Sequence, residues 1–517
     1  MKILFLTQNR SLNVFHALHR ALAARAIVSQ CGFVVADSWY YENWHRAHPE
    51  FERSGHRILK EWELTGAPPK PDLALLRYYE ARLREPNLMR SILVDRRLSM
   101  GWHCSFAQDY RRRFSDDQLL GILQNGLVAL ERLFDELKPD VVIGFICVTF
   151  LDHLAFLFAR ARGIRFLNLR FARVADRMLY ASSLADPAPE FISRYAEILE
   201  TGSPRLPDAR HFLQQARTSN ELYEGVFKTS HKTVRTLAGW SRPVSAAANQ
   251  IAQYWRYRRS IAAADNHVPD PMVQLFYGGV VNPFRAWRQS RVLSRDYVQL
   301  DDLRQVRFAF LPFHTEPEVS LLLYGRPFTN QIEVARAFAE SLPPDMFLVA
   351  KEHPWMVGKR PTDYYRTLLA IPRMKLAHPG VRGADLIHRA DLLATISGSA
   401  ALEAVIHRKP AVVLGDVPFT LMPSTMVARG SDLARLPAIV RTLLATHNHD
   451  EAALEAFIAT IFEQSESLHW YSTLLERAEF SNVRDSNFAG EIETLADFTL
   501  ARLDAGTRPS AVEPANQ

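Results

Sequence analysis

The chain has few cysteines, no long hydrophobic run and no recognisable metal motif. Its 517 residues include three cysteines, Cys31, Cys104 and Cys147. So sparse and odd a count excludes a disulfide scaffold and fits a reducing compartment. None has metal-ligand spacing, and Cys147 sits in an apolar run as a small core residue. The most membrane-like stretch, Val141 to Ala159, is interrupted by Asp152 and His153. A buried strand followed by a buried helix accounts for it better than a transmembrane span. The apolar run after Met1 is too short for a signal peptide, so a cytoplasmic protein is expected. No repeat of fixed period is visible. Sixty-two Lys and Arg against 56 Asp and Glu leave a net charge of +6. That surplus suits anionic partners such as nucleotides, acidic glycans or a phospholipid surface, and is too diffuse to imply nucleic-acid binding.

What is present is an ordinary globular composition, 48% apolar and 23% charged, in a chain long enough for two or three domains. Residues 1–186 alternate strand and helix patterns. Ile3–Thr7 reads as a strand, Ser11 as an N-cap for a helix over Val14–Ala24, and Phe33–Ala36 as a second strand. Val141–Phe145 has the continuous apolar character of a central parallel strand. A helix over Leu151–Arg162 stops at Gly163, and a strand resumes at Ile164–Leu169. This alternation predicts a doubly wound sheet. Residues 187–304 are helical and rich in Arg, Tyr and Trp, densest in Gln253–Arg259. That patch can grip an acidic glycan or lie on anionic lipid, or can be a helix with aromatics inward and arginines outward.

A second α/β lobe is expected over 305–431, with strands at Arg307–Leu311, Met346–Ala350, Met374–Ala377, Leu392–Ile396 and Ala411–Leu414. Helices follow over 432–505, then a frayed tail over 506–517. In such sheets ligands bind beyond the carboxyl ends of the strands. Two polar clusters stand there. Lys351-Glu352-His353-Pro354 follows one strand; Ser397-Gly398-Ser399, with Glu403 one turn later, follows another and opens a helix. A Ser-Gly-Ser turn at a helix start can offer backbone N–H groups to a phosphate. Lys351 and His353 can add charge and a donor, and Glu403 can accept ribose hydroxyls. The composite reads as a nucleotide-sugar site. Ser397 and Ser399 can equally be helix caps, and Lys351 can merely pair with Glu352.

Glu316 and Glu318 alternate along an extended segment, so both carboxylates can face the cleft as catalytic candidates that orient the sugar or acceptor, or can equally belong to a solvated acidic loop. In the first lobe Asp152 is a candidate base or nucleophile, with helix capping the commoner job for such a residue. Arg173, Asp176 and Arg177 are candidates for binding an acidic acceptor or the leaving phosphate. No Asp-x-Asp motif occupies a strand end, so transfer without a metal or other cofactor is expected, leaving-group charge being met by basic side chains.

The ordered set Pro312–Glu318, Asn330–Glu333, Lys351–Pro354, Ile396–Ser399, Glu403-Ala404 and Lys409-Pro410 resembles the bacterial capsule polysaccharide biosynthesis proteins. That family includes transferases that build a 3-deoxy-manno-octulosonic acid (Kdo) linker on a lipid. The resemblance covers roughly Arg307 to Leu421. It implies two doubly wound lobes in a GT-B arrangement, with a helical insertion and a helical C-terminus. The second lobe would hold the donor and the first the acceptor. It further implies a glycosyltransferase using a nucleotide-sugar, a CMP-activated acidic sugar foremost, with His353 and Pro354 on the phosphate or ribose. The acceptor would be a glycan or lipid-linked, with peripheral inner-membrane association in reach. A UDP-sugar 2-epimerase of the same fold and a catalytically silent glycan-binding scaffold of polysaccharide export are the alternatives.

Overall fold

The computed structural model describes residues 1–100, 113–219, 222, 254–259, 265, 268, 270–476 and 487–505. Cys104, Gln253 and the tail over 506–517 lie outside the described residues. Two seven-stranded sheets organise the chain. The first contains β1 (Lys2–Gln8), β2 (Gln30–Ala36), β3 (Arg57–Lys60), β4 (Val141–Phe145), β5 (Arg165–Phe171) and β6 (Arg177–Ala181). The second contains β7 (Tyr297–Val298), β8 (Arg307–Pro312), β9 (Met346–Lys351), β10 (Met374–Ala377), β11 (Leu392–Thr395), β12 (Ala411–Val413) and β13 (Val427–Arg429). A last strand, β14 (Ser465–Ser467), returns to the first sheet.

Strand order in the first sheet is β14-β6-β5-β4-β1-β2-β3 and in the second β13-β12-β11-β8-β9-β10-β7. Every pair in the second sheet is parallel; in the first, β5–β6 and β6–β14 are antiparallel. Each sheet winds outward in both directions from an interior strand, β1 or β8, with β7 added at the β10 edge of the second. Order therefore reverses between β1 and β4 and again between β8 and β11, and these are the two switch-point crevices. Both faces of the central strands are covered, which is why they read as unbroken apolar runs: Ile3 to Leu6 and Phe308 to Leu311 are all buried. The doubly wound, two-lobed α/β fold expected from the sequence is present, with helices between and after the lobes.

Local details differ from expectation. Ser11 is not the N-cap: the helix runs Ser11–Ala24 with Arg10 in that place. The Ser11 hydroxyl donates to Gln8 O and accepts from Gln8 N, both at 2.8 Å, closing the strand-to-helix turn. The second lobe begins before residue 305, because β7 pairs with β10. The final helices divide between the lobes. Leu436–Thr446 packs on the second-lobe helix Gln331–Ser341, and Phe488–Ala505 lies on Ser11–Ala24 of the first. Helix Glu451–Gln464 packs against Pro189–Thr201 and Leu206–Ser219. Within the described residues no helix is long and apolar enough to cross a membrane. Cys31 and Cys147 are both buried and unbridged.

Candidate functional site

The second-lobe switch point is built on His314, two residues beyond β8. Its ring is buried, and burial with nearby Arg173 lowers its pKa to about 3, so the imidazole is neutral. The Ser397 N–H points at Nε2 (3.4 Å), and the Thr395 hydroxyl lies 3.3 Å from the same atom. Thr395 Oγ1 in turn accepts from Gly398 N at 3.2 Å. Gly398 is fixed by this packing: a Cβ there would lie 2.8 Å from Thr395 Oγ1 and 3.3 Å from His314 Cε1. The turn thus differs from the phosphate cradle expected of it. The Ser397 and Gly398 amides are committed to His314 and Thr395, and the buried Ser397 hydroxyl donates to Ser320 O at 2.7 Å. Ser397 and Gly398 form the floor of the crevice.

Ser399 precedes the short helix Ala400–Ile406 and makes no side-chain cap bond. Glu403, one turn in, is half-buried, and its carboxyl makes no hydrogen bond among the described residues. Burial alone pushes its pKa up to about 7. Such a carboxyl suits a neutral hydroxyl-bearing ligand better than a cation.

The β9 end contributes Lys351 and His353. Lys351 is buried, with Nζ 3.3 Å from Glu352 O; burial lowers its pKa and Glu352 opposes this. His353 accepts from Trp355 N at Nδ1 (3.3 Å) while starting the 3-10 turn Pro354–Met356. The Thr315 hydroxyl lies 3.1 Å from the same nitrogen. Burial, then Lys351 and other cations, lower the His353 pKa to about 4. The ring is therefore neutral, and its bonds assign the proton to Nε2, which makes that atom a donor. Pro354 fixes the turn and makes no polar contribution.

Glu316 departs from its expected place. It neither faces the cleft nor lies in a solvated loop: it turns inward to a buried ion pair with Arg360 and accepts from Gln331 Nε2 at 2.6 Å. Arg360 is fully buried. It also pairs with Glu352 (2.8 Å) and donates to His314 O at 2.9 Å. Glu352 accepts from the Tyr365 hydroxyl at 2.7 Å. This network clamps the loops after β8 and β9 together and carries the backbone of His314. Burial holds the Glu352 carboxyl above its ordinary range even against Arg360. Glu318 does stand between the lobes. Its carboxyl is raised by burial, opposed by Arg173, Ser320 and Arg96.

From the first lobe, Arg173 reaches across and donates from Nη1 to Ser397 O at 3.1 Å. It belongs to the turn between β5 and β6, where Arg173, Ala175 and Asp176 all have positive φ, at 60°, 45° and 48°. Three non-glycine residues in the left-handed region make this a strained, over-determined loop. Asp176 stays at that loop, its carbonyl accepting from Leu468 N at 3.0 Å. Arg177 points away from the crevice. It donates to Ser465 Oγ, Ser465 O and Phe462 O at 2.8 to 3.1 Å, pinning β14 to β6, so it is no acceptor or phosphate ligand. Asp152 likewise serves its helix: with Thr149 it forms a capping box and accepts from Val148 N and Thr149 N.

Residues missed from the sequence include His314, Thr395 and Arg360, and Glu61 in the first lobe. His314 could have been found, since it stands two residues beyond β8 as His353 stands two residues beyond β9. Glu61 is fully buried at the end of β3, and burial with nearby Asp265 raises its pKa to about 8. No group of three or more His, Cys, Asp or Glu able to hold a metal occurs among the described residues.

No family model matches the chain. Protein FixF of Sinorhizobium fredii (strain NBRC 101917 / NGR234) is 29% identical over 138 residues, covering 25% of this chain and 31% of that protein. The chain thus spans about a third of that relative's length. Among solved structures it is similar to Thermosulfurimonas dismutans KpsC, beta Kdo 2,7 transferase, at TM-score 0.32 and 11% identity over 60% of this chain and 78% of that one. It is also similar to UDP-GlcNAc 2-epimerase from Neisseria meningitidis bound to UDP-GlcNAc, at TM-score 0.22 and 13% identity over 90% and 98%. At these scores the likeness decides nothing about function, and the fold rests on the strand orders above.

Proposed function

We propose that the chain is a glycosyltransferase of capsule or other surface polysaccharide assembly, taking its sugar from a nucleotide donor bound at the second-lobe switch point. One observation carries this reading. His353, Ser399 and Glu403, whose carboxyl has no hydrogen bond among the described residues, stand beyond the carboxyl ends of β9 and β11, on the Ser397–Gly398 floor that His314 and Thr395 hold, with Arg173 of the other lobe at the same turn. That is where an open parallel sheet takes a nucleotide. In this reading Glu403 accepts ribose hydroxyls and His353 Nε2–H donates to a phosphate oxygen. Arg173 supplies positive charge toward the leaving phosphate or an acidic sugar, which is the stabilisation that metal-independent transfer needs. Glu318, whose carboxyl burial raises above its ordinary range while Arg173 opposes this, is the acid–base candidate between the lobes. The motif resemblance makes a CMP-activated acidic sugar the favoured donor and a glycan or lipid-linked sugar the acceptor.

The test is thermal stabilisation by CMP, UDP, GDP and ADP, for the wild type and His353→Ala. A ligand present at a hundred times its Kd stabilises the folded state by about 2.7 kcal/mol. A shift with CMP, lost in His353→Ala, is expected. A shift with UDP alone would favour a UDP-sugar enzyme, epimerase included. No shift with any nucleotide would refute the donor site.

A further inference from the structure

The segment over 271–292 has two faces. It comprises Pro271–Phe276, a π-helical turn Tyr277–Val281 and Asn282–Val292 in succession. One face is docked on the second lobe: Gln289 and Leu293 are buried, and Gln289 Nε2 donates to Arg360 O at 2.5 Å. Arg285 donates to Lys359 O at 3.0 Å. Gly358 is held so close that a Cβ would lie 2.6 Å from Asn282 O. The other face turns large apolar side chains to solvent. Met272 is 41% exposed, Phe276 55%, Val280 49%, Phe284 57% and Trp287 43%. Their four- and three-residue spacing places them along one stripe.

Charge decides what covers this stripe. Between Asp270 and Asp296, which bound the segment, the sequence contains no Asp or Glu, and Arg288, Arg291 and Arg295 are exposed. The Arg291 guanidinium lies 5.5 Å from the centre of the Trp287 ring. Aromatic and aliphatic side chains flanked by arginine, without a carboxylate, match the boundary between acyl chains and anionic headgroups. The exposed Trp355 lies two residues beyond His353, on the loop that this helix grips.

We propose that residues 271–292 are a membrane-docking face that seats the second lobe on an anionic bilayer. This site differs from the basic run Arg256–Arg259, which is exposed beside the buried Tyr257. It also stands without the nucleotide reading. Phe276, Phe284 and Trp287 enter the acyl boundary, and Arg288, Arg291 and Arg295 meet headgroup phosphates. Because the docked face holds the loop after His353, the bilayer would lie against the lobe that carries the crevice.

Flotation of the full chain with vesicles tests this. Wild-type protein is expected to float with mixed phosphatidylglycerol–phosphatidylcholine vesicles and far less with phosphatidylcholine alone. F284E/W287E is expected to lose at least about tenfold in partition, since two rings leave the boundary and two like charges enter it. R288Q/R291Q/R295Q is expected to lose roughly fivefold per arginine. Both sets lie on the solvent face, so unchanged melting temperatures confirm that folding is intact. Wild type that ignores anionic vesicles, or F284E/W287E that floats as well as wild type, overturns the proposal. So does a wild-type dimer in sedimentation that F284E/W287E dissolves without any vesicle binding, because the face would then belong to a second copy.

Discussion

Arg360→Met tests the claim that one buried cation holds the second-lobe crevice together. The substitution keeps most of the volume and removes the charge between Glu316 and Glu352. It also removes the donor to His314 O, leaving two buried carboxylates without their counter-ion. Breaking a buried ion pair from one side costs about 3–5 kcal/mol, mostly the penalty of the stranded charge. For a lobe of this size that corresponds to a fall of roughly 10 °C in its melting transition. Burial already holds the Glu352 carboxyl above its ordinary range, and losing Arg360 removes the charge that opposes this. The folded protein then holds protons that the unfolded chain releases, so the deficit should be largest at pH 8 and shrink toward pH 5. The triple variant R360M/E316Q/E352Q removes the charges with the cation and should recover at least half of the loss. Melting by differential scanning fluorimetry at pH 5 and pH 8 reads all three proteins. If Arg360→Met melts within about 1 °C of wild type at pH 8, or the triple variant is no better than the single, the network is not what sets the crevice.

Glu61→Gln should flatten part of the pH dependence of stability. With a folded pKa near 8 against 4.5 in the unfolded chain, wild type loses stability as pH rises through that window. The variant should gain on it by at most about 4 kcal/mol between pH 5 and pH 9, read by urea denaturation at both; parallel curves would contradict the burial of a protonated acid. Gly398→Ala drives a Cβ into Thr395 Oγ1 and should cost about 1–3 kcal/mol. It should also abolish any nucleotide-induced thermal shift, whereas Ser399→Ala, outside the His314–Thr395 knot, should not lower basal stability comparably. A Gly398→Ala protein with wild-type melting would mean that the floor gives way easily.

The central strands were legible because burial on both faces writes a run of apolar residues, as in Val141–Ile143 and Phe308–Leu311. The strands that escaped are short ones: β3, with four residues, β6, with five, β7, with two, and β13 and β14, with three each. Their conformation is imposed by a neighbour's edge, and so few residues carry no periodicity. At the crevice, position was readable and role was not. Strand ends located His353 and Ser397–Glu403, yet nothing local to Glu316 announces an arginine 44 residues on. Nor does Arg177 announce a partner 288 residues away. Left-handed φ at Arg173 was equally invisible, because non-glycine residues reach that conformation only when surrounding contacts enforce it.

The return of the chain to its first sheet has a consequence in time. β14 pairs with β6 through Ser465–Leu179, Glu466–Met178 and Ser467–Arg177, and helix Phe488–Ala505 covers Ser11–Ala24. During synthesis the outer edge of β6 must therefore wait for the whole second lobe to be made, roughly 15 to 60 s at ordinary elongation rates. Through that interval the nascent first lobe carries an open strand edge and an uncovered helix face, both invitations to pair with another chain. Production of this protein should thus depend on ribosome spacing and on holding chaperones more than its finished stability would suggest.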